Sequence, residues 1–269
     1  MTEDTPPPVE QPAPPAPAPA APTQDLADGA AVCPRCAKPL DLCVCQGIEP
    51  IQTRLEVLVL QHPQEQDVEL GSARLLTLGL ARGRLKVGLS WPNLAKALGR
   101  DKAGAEADPR RWAVLYMGSG DDATATPPGT VRLVDKKGQT VEDPTALADL
   151  EGLILLDGSW SQAKALWWRN AWLLKLRRLI VHPDFVSAYG NLRREPRRES
   201  VSTLEAGAFA LAKLEGDDTL VERLRAPFIA LVDRYRAVRG NRPPKAAANR
   251  PSTDGARKPD WRGRKRRPR

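Results

Sequence analysis

Four cysteines fall within thirteen residues of this 269-residue chain: Cys33-Pro-Arg-Cys36, six residues, then Cys43-Val-Cys45. Scattered structural thiols do not cluster in this way. No part of the chain directs it to an oxidising compartment, so disulfides are not the expected use. Four thiolates in two close pairs can surround one tetrahedral Zn2+ at about 2.3 Å per sulfur. An iron–sulfur site and reactive cysteines are the weaker alternatives, and the one-residue gap of the second pair is tighter than usual. Four protein ligands leave no open position, so the expected zinc is structural. Fewer than about 20 residues cannot build a core, which makes metal binding the source of local folding.

A second group with chemical potential is Asp157-Gly158-Ser159-Trp160, directly after the apolar run Gly152-Leu-Ile-Leu-Leu156. A carboxylate at a strand end stands where ligand chemistry concentrates, but Asp157 would also cap the helix that follows. Gly158 lets backbone approach a ligand closely or simply turns. Ser159 would cap or bind. Trp160 lines up with Ala163, Trp167, Ala171 and Leu174 at helical spacing, a stripe that reads mostly as core. Lys164 and Arg169 fall on more polar faces and read as solvated. Ser202-Thr-Leu-Glu205 has capping-box spacing. His62 and His182 each precede a proline at a strand end and are not placed to bind zinc. The pairs Arg193-Arg194 and Arg197-Arg198 could contact phosphate, although Glu195, Glu199 and Glu205 oppose that.

The elements that must position these groups lie between residues 51 and 238. Leu55–Leu60, Arg84–Leu89, Trp112–Met117, Gly152–Leu156 and Arg178–Val181 read as strands. Ala73–Leu80, a segment from Ser159 to about Leu176, and stretches near 203–214 and 217–237 read as helices. Apolar strands separated by helices predict a parallel α/β sheet. Ligands bind outside the carboxyl ends of such strands, where Met117-Gly118-Ser119 and Asp157–Trp160 emerge.

The ends are different. Residues 1–30 hold nine prolines, five acids and no Lys or Arg, too little apolar surface to offset ordering entropy. Residues 239–269 carry twelve Lys or Arg against Asp254 and Asp260, for a local charge of +10. The whole chain is +8, so residues 31–238 sit near +3. Both ends are expected to be disordered, which leaves a zinc module at 31–50 and one domain at 51–238. With no signal peptide and no apolar run near 20 residues, a cytoplasmic protein off the membrane is expected. No obligate protein partner is evident. Trp261 beside the arginines of the basic end suits nucleic acid, since an aromatic stacks while arginines neutralise phosphates.

Several stretches together resemble the DTW-domain family of tRNA-uridine aminocarboxypropyltransferases. They are the Cys33/Cys36/Cys43/Cys45 spacing, Leu60-Gln-His-Pro63 with Glu65, Gly71-Ser-Ala-Arg74, Leu115-Tyr-Met-Gly-Ser119, Leu155-Leu-Asp-Gly-Ser-Trp160 with Gln162-Ala163, and Ser202-Thr-Leu-Glu-Ala206. The match spans about residues 33–215. It departs where the family has Asp, any residue, Thr, Trp, because Ser159 keeps the hydroxyl and loses the methyl. Met117 stands where the family pattern has proline. The resemblance implies an α/β SPOUT-like domain, knotted around its cofactor site. It also implies transfer of the 3-amino-3-carboxypropyl group of S-adenosyl-L-methionine to N3 of a tRNA uridine, with release of methylthioadenosine.

On that resemblance Asp157, Ser159 and Trp160 are the catalytic candidates. Tyr116, Met117, Gly118, Ser119, Leu156, Gly158, Ser202, Thr203, Leu204 and Glu205 are the cofactor-binding ones. The start of the helix at Ser202 would suit the carboxylate of S-adenosylmethionine. The rival readings are an RNA methyltransferase of the same fold and a non-catalytic zinc-containing RNA-binding protein. If the basic end tracks phosphate, removing residues 239–269 lowers tRNA affinity and flattens its salt dependence, because fewer counterions are released. A titration series at increasing salt measures this, and an unchanged slope would leave that end merely solvated.

Overall fold

The computed structural model describes residues 24–25, 31–100, 107–116, 126–143, 145–192, 201–242 and 244. A two-stranded antiparallel pair, β1 (Gln24–Asp25) with β2 (Ala31–Val32), leads into the cysteine segment. The body is a six-stranded sheet. Its strands are β3 (Glu56–Gln61), β4 (Gly83–Val87), β5 (Trp112–Leu115), β6 (Thr130–Val134), β7 (Gly152–Asp157) and β8 (Arg177–His182), in the order β4-β3-β7-β5-β8-β6. All neighbours are parallel except β6, which runs antiparallel to β8 at one edge. The helices are α1 (Ala73–Leu78), α2 (Leu94–Ala97), α3 (Thr145–Ala148), α4 (Trp160–Arg169), α5 (Thr203–Glu215) and α6 (Thr219–Arg239). The expected α/β sheet is present and mostly parallel. The antiparallel edge strand β6 is an addition, as are α2 and α3.

Both faces of the sheet are covered, which is why β3, β5 and β7 are nearly unbroken apolar runs. Side chains alternate between two cores. Val57, Val59, Ala113, Leu153, Leu155 and Leu179 face one core, shared with α1, α5 and α6. Leu58, Leu60, Trp112, Val114 and Ile154 face the other, shared with α2 and the segment after α4. The polar exception inside β3 is Glu56, buried and held by Arg84 at 2.5 Å and Arg100 at 2.6 Å. Among the described residues no helix is long and apolar enough to cross a membrane.

Two expected boundaries move. The helix from Ser159 stops at Arg169 and the chain tightens to a 3-10 turn over Ala171–Lys175. The stop is Asn170, fully buried, whose side chain accepts from the Trp91 N–H (2.8 Å) and donates to the Leu89 and Leu166 carbonyls (3.0 and 2.8 Å). The anticipated stripe therefore breaks: Leu166 and Leu173 are the inward residues, while Trp160 and Ala171 are exposed. At the other end, Arg239 is the last residue of α6 and pairs with Asp41 (2.7 Å) and Glu69 (3.2 Å). Arg239 thus belongs to the body, and a deletion starting after Arg242 leaves α6 whole.

Gly152 shows how tightly the sheet carries its cores. A Cβ there would lie 2.4 Å from the indole of Trp112, a side chain almost wholly enclosed. Flat, rigid rings have no rotamer to retreat into in a filled core. Gly152→Ala is expected to cost about 1–3 kcal/mol by overpacking. A lowered urea midpoint with unchanged slope measures it, and an unmoved midpoint would mean that the indole has room to shift.

Candidate functional site

Because strand side chains alternate, Val59 and Gln61 share a face of β3, and Leu155 and Asp157 share the same face of β7. The register pairs Gln61 with Asp157. Two polar residues thus meet where the apolar run of each strand ends. Gln61 Nε2 donates to Asp157 Oδ2 at 2.9 Å, and Thr203 Oγ1 donates to Asp157 Oδ1 at 2.6 Å. Asp157 keeps 7% of its surface exposed. Each carboxylate oxygen holds one bond and retains a further lone pair. Asp157 does not cap α4: Ser159 is the N-cap, and its N–H donates to Gln162 Oε1 at 2.6 Å. The carboxylate is fixed by two neighbouring elements and kept off the helix that follows it.

The remaining expected residues divide into several groups. Thr203 reaches Asp157. Ser202 and Glu205 form the capping box: Ser202 Oγ accepts from the Glu205 N–H (3.1 Å), and the Ser202 N–H donates to Glu205 Oε2 (2.9 Å). The Leu204 N–H donates to Ser72 Oγ (3.2 Å). The first turn of α5 is therefore capped from within the protein. Leu156 is half-buried between Asp157 and the second core. Gly158 lies against Gln162, 2.8 Å from where its Cβ would be. Tyr116 stacks against Trp167 (5.5 Å between centroids), with the Arg178 guanidinium 5.2 Å from the Tyr116 ring. Trp160, 40% exposed, stands at the mouth. Met117, Gly118 and Ser119 lie outside the described residues, as do Arg193, Arg194, Arg197, Arg198 and Trp261.

His62 and His182 serve as local structure. The His62 N–H donates to the Asp157 carbonyl (2.9 Å), and its Nδ1 accepts from Gln64 (3.3 Å). Burial, then the Arg169 guanidinium, push the His62 pKa down and favour the neutral ring. His182 Nδ1 lies 2.6 Å from the Thr126 carbonyl. Two residues were not anticipated in the site. Gln61 carried no signal beyond its place in Leu60-Gln-His-Pro63. Lys38 has its ammonium buried. Its one hydrogen bond among the described residues goes to the Val68 carbonyl (2.6 Å). Burial lowers its pKa to about 8, opposed by the negative charges of Cys36 and Asp157.

The four cysteine sulfurs lie within 4.8 Å of one another. Cys33–Cys45 and Cys36–Cys43 are 3.6 Å apart and Cys43–Cys45 3.5 Å. Zinc–sulfur bonds of about 2.3 Å give tetrahedral edges of about 3.8 Å, so the donor set fits the ion. Burial pushes the Cys36 thiol up to about 11 and Cys45 higher still, the response of crowded thiols that lack a cation between them. Arg35 spans both pairs, donating to the Cys45 and Ile48 carbonyls at 2.6 Å each. Ala37 adopts φ 53°, a left-handed conformation that a residue with a Cβ holds only when its surroundings impose it. Metal analysis is expected to give about one zinc per chain. Cys36→Ser should bring that close to zero with a lowered melting temperature. Metal-free protein with full folding and activity would remove the zinc.

Comparison with known proteins adds a family to this geometry. The chain is 27% identical over 201 residues to tRNA-uridine aminocarboxypropyltransferase 2 of Mus musculus, covering 74% of this chain and 61% of that protein. It is 26% identical over 207 residues to the Macaca fascicularis protein of that name, with 74% and 61% covered. The Drosophila melanogaster protein of that name is 29% identical over 204 residues, with 74% and 72% covered. The chain thus spans about 61% of the length of the mouse and macaque relatives. No solved structure matches it significantly. The DTW domain profile covers residues 30–236, taking in the cysteine cluster, the sheet and both closing helices, and the chain belongs to the DTW-domain family.

Proposed function

We propose that this protein transfers the 3-amino-3-carboxypropyl group of S-adenosylmethionine to N3 of a uridine in tRNA, in the cytoplasm. Membership of the DTW-domain family and the names of its relatives support the reaction class. The observation that carries the site is Asp157, clasped at the carboxyl edge by Gln61 and Thr203 with lone pairs to spare. The mostly parallel sheet and a ligand edge built by β7 and α5 support a SPOUT-like form of the fold, including the knot that the family resemblance implies.

The donor set suits a ligand with both an amino and a carboxylate group. A carboxylate (Asp157) and a buried ammonium (Lys38) sense each other electrostatically. Bound there, S-adenosylmethionine supplies a sulfonium-activated γ-carbon on its methionyl arm. Asp157 takes or orients the uridine N3 proton, which makes that nitrogen a nucleophile. Gln61 and Thr203 hold both carboxylate oxygens, so the group cannot rotate away from the substrate. Ser159 and Trp160 shape the entrance, and Tyr116, Leu156, Gly158 and Thr203 line the cofactor side with Met117 to Ser119. Leu204 sits deeper, and Ser202 and Glu205 hold the turn that presents Thr203. The positioning of the arm, rather than the methyl, toward the base is the larger part of the rate gain.

Incubation with tRNA and S-adenosylmethionine, followed by mass analysis, is expected to show an aminocarboxypropylated uridine and methylthioadenosine. S-adenosylhomocysteine instead would indicate a methyltransferase, and no turnover a binding protein. Asp157→Asn is the sharper test. Thr203 can still donate to Oδ1, and Gln61 can flip its amide to accept from the new Nδ2, so both clasping bonds survive. Melting should hardly move while methylthioadenosine release falls about 100- to 10,000-fold. Near-normal turnover would take Asp157 out of the chemistry.

A further inference from the structure

Five of the seven tryptophans gather on or beside α4: Trp91, Trp160, Trp167, Trp168 and Trp172. Trp91, Trp167 and Trp172 pack against the second core. The other two do not follow them inward: Trp160 is 40% and Trp168 63% exposed. Tryptophan is a residue that folding normally hides, and one exposed indole needs no account. Two on one helix face do. Trp160, Lys164 and Trp168 stand at i, i+4 and i+8, one solvent-facing stripe with a cation midway between two indoles. The stripe begins at the mouth beside Asp157 and runs away from it for about 12 Å, eight residues at about 1.5 Å each.

The charge on this face has one sign. The ten residues of α4 contain Lys164 and Arg169, both exposed, and no acid. An apolar protein partner would leave that lysine buried and unpaired, which is costly. A polyanion whose own groups have flat apolar faces answers both features, and single-stranded RNA is that polymer: unstacked bases lie on aromatic rings while ammonium groups neutralise phosphates. We propose that the exposed face of α4 is the RNA-docking track of this protein. Trp168 stacks a nucleotide splayed out near the target uridine, and Lys164 contacts the intervening phosphate. The proposal rests on the tRNA reading above and adds where, and by what contact, the strand is held.

The test uses the full chain and fluorescently labelled tRNA, titrated by anisotropy without S-adenosylmethionine. Trp168→Ala and Trp168→Leu are expected to weaken binding about 5- to 100-fold, since both remove the π-face and only the second keeps apolar bulk. Trp168→Phe restores most of the affinity. Lys164→Gln lowers the salt slope by about 0.7, the loss of one phosphate contact to a single strand. In turnover, Trp168→Ala raises KM for tRNA and leaves kcat unchanged, because the residue lies far from Asp157. Wild-type affinity in Trp168→Ala or in Trp168→Leu overturns the stacking contact. A change of oligomeric state on substitution, seen by sedimentation, overturns it in favour of a second copy on this face. Wild-type protein that binds no tRNA overturns the tRNA reading itself, and this proposal with it.

Discussion

The site depends on a carboxylate that never reaches it. Glu205 is completely enclosed, and an isolated ionised carboxylate in such surroundings would cost far more than a domain can spare. It is tolerated because four donors converge on it: Ser187 Oγ (2.7 Å), the Ala188 N–H (2.8 Å), the Ser202 N–H (2.9 Å) and Arg225 (3.1 Å). They come from the segment after β8, the cap of α5 and the body of α6. The one arrangement that satisfies Glu205 brings these three segments together and sets the height of the first turn of α5 against the sheet. Thr203, two residues earlier, is then left facing Asp157. Two residues later, Gly207 lets α5 settle where a Cβ would lie 2.7 Å from Leu76 and 2.9 Å from Leu155.

The cysteine cluster is tied into the same body. Leu42, Ile48 and the buried cysteines join the core beneath α5 and α6. Arg234 of α6 donates to the Cys43 carbonyl (2.6 Å), and Arg239 pairs with Asp41. Lys38 reaches from the cluster to the Val68 carbonyl, three residues before Gly71. That contact carries the geometry of the cysteine turn into the loop that precedes α1 and Ser72, and Ser72 in turn holds the Leu204 N–H of α5. A metal with no open coordination position thus still bears on the ligand edge, through the backbone it braces.

The two faces of the sheet serve different ends. One is filled with aliphatic side chains and carries the clasp at its carboxyl edge. The other is capped by indoles, and the helix that covers it sheds two of them toward solvent. The change of character follows from Asn170, whose three hydrogen bonds end α4 and anchor it to the segment after β4. With the end of the helix fixed there, its rotation is set, and Trp160, Lys164 and Trp168 share the outer face.

By itself the sequence determined what depends on local composition and spacing. The thiols of the cluster, the apolar runs of β3, β5 and β7, the capping box at Ser202 and the strand-end place of Asp157 all follow from residues within a few positions of one another. β6 escaped because a short antiparallel edge strand carries a mixed pattern, and α4 was drawn too long because the signal for its stop is a buried asparagine, polar in composition yet interior in place. Which polar groups meet at the carboxyl edge was decided only by tertiary structure. Gln61, Asp157 and Thr203 are separated by 96 and 46 residues, and the closure of the parallel sheet under α5 brings them within hydrogen-bond reach. Propensity is read along the chain, whereas a clasp of this kind is made by register and by the packing of a helix cap against two strand ends.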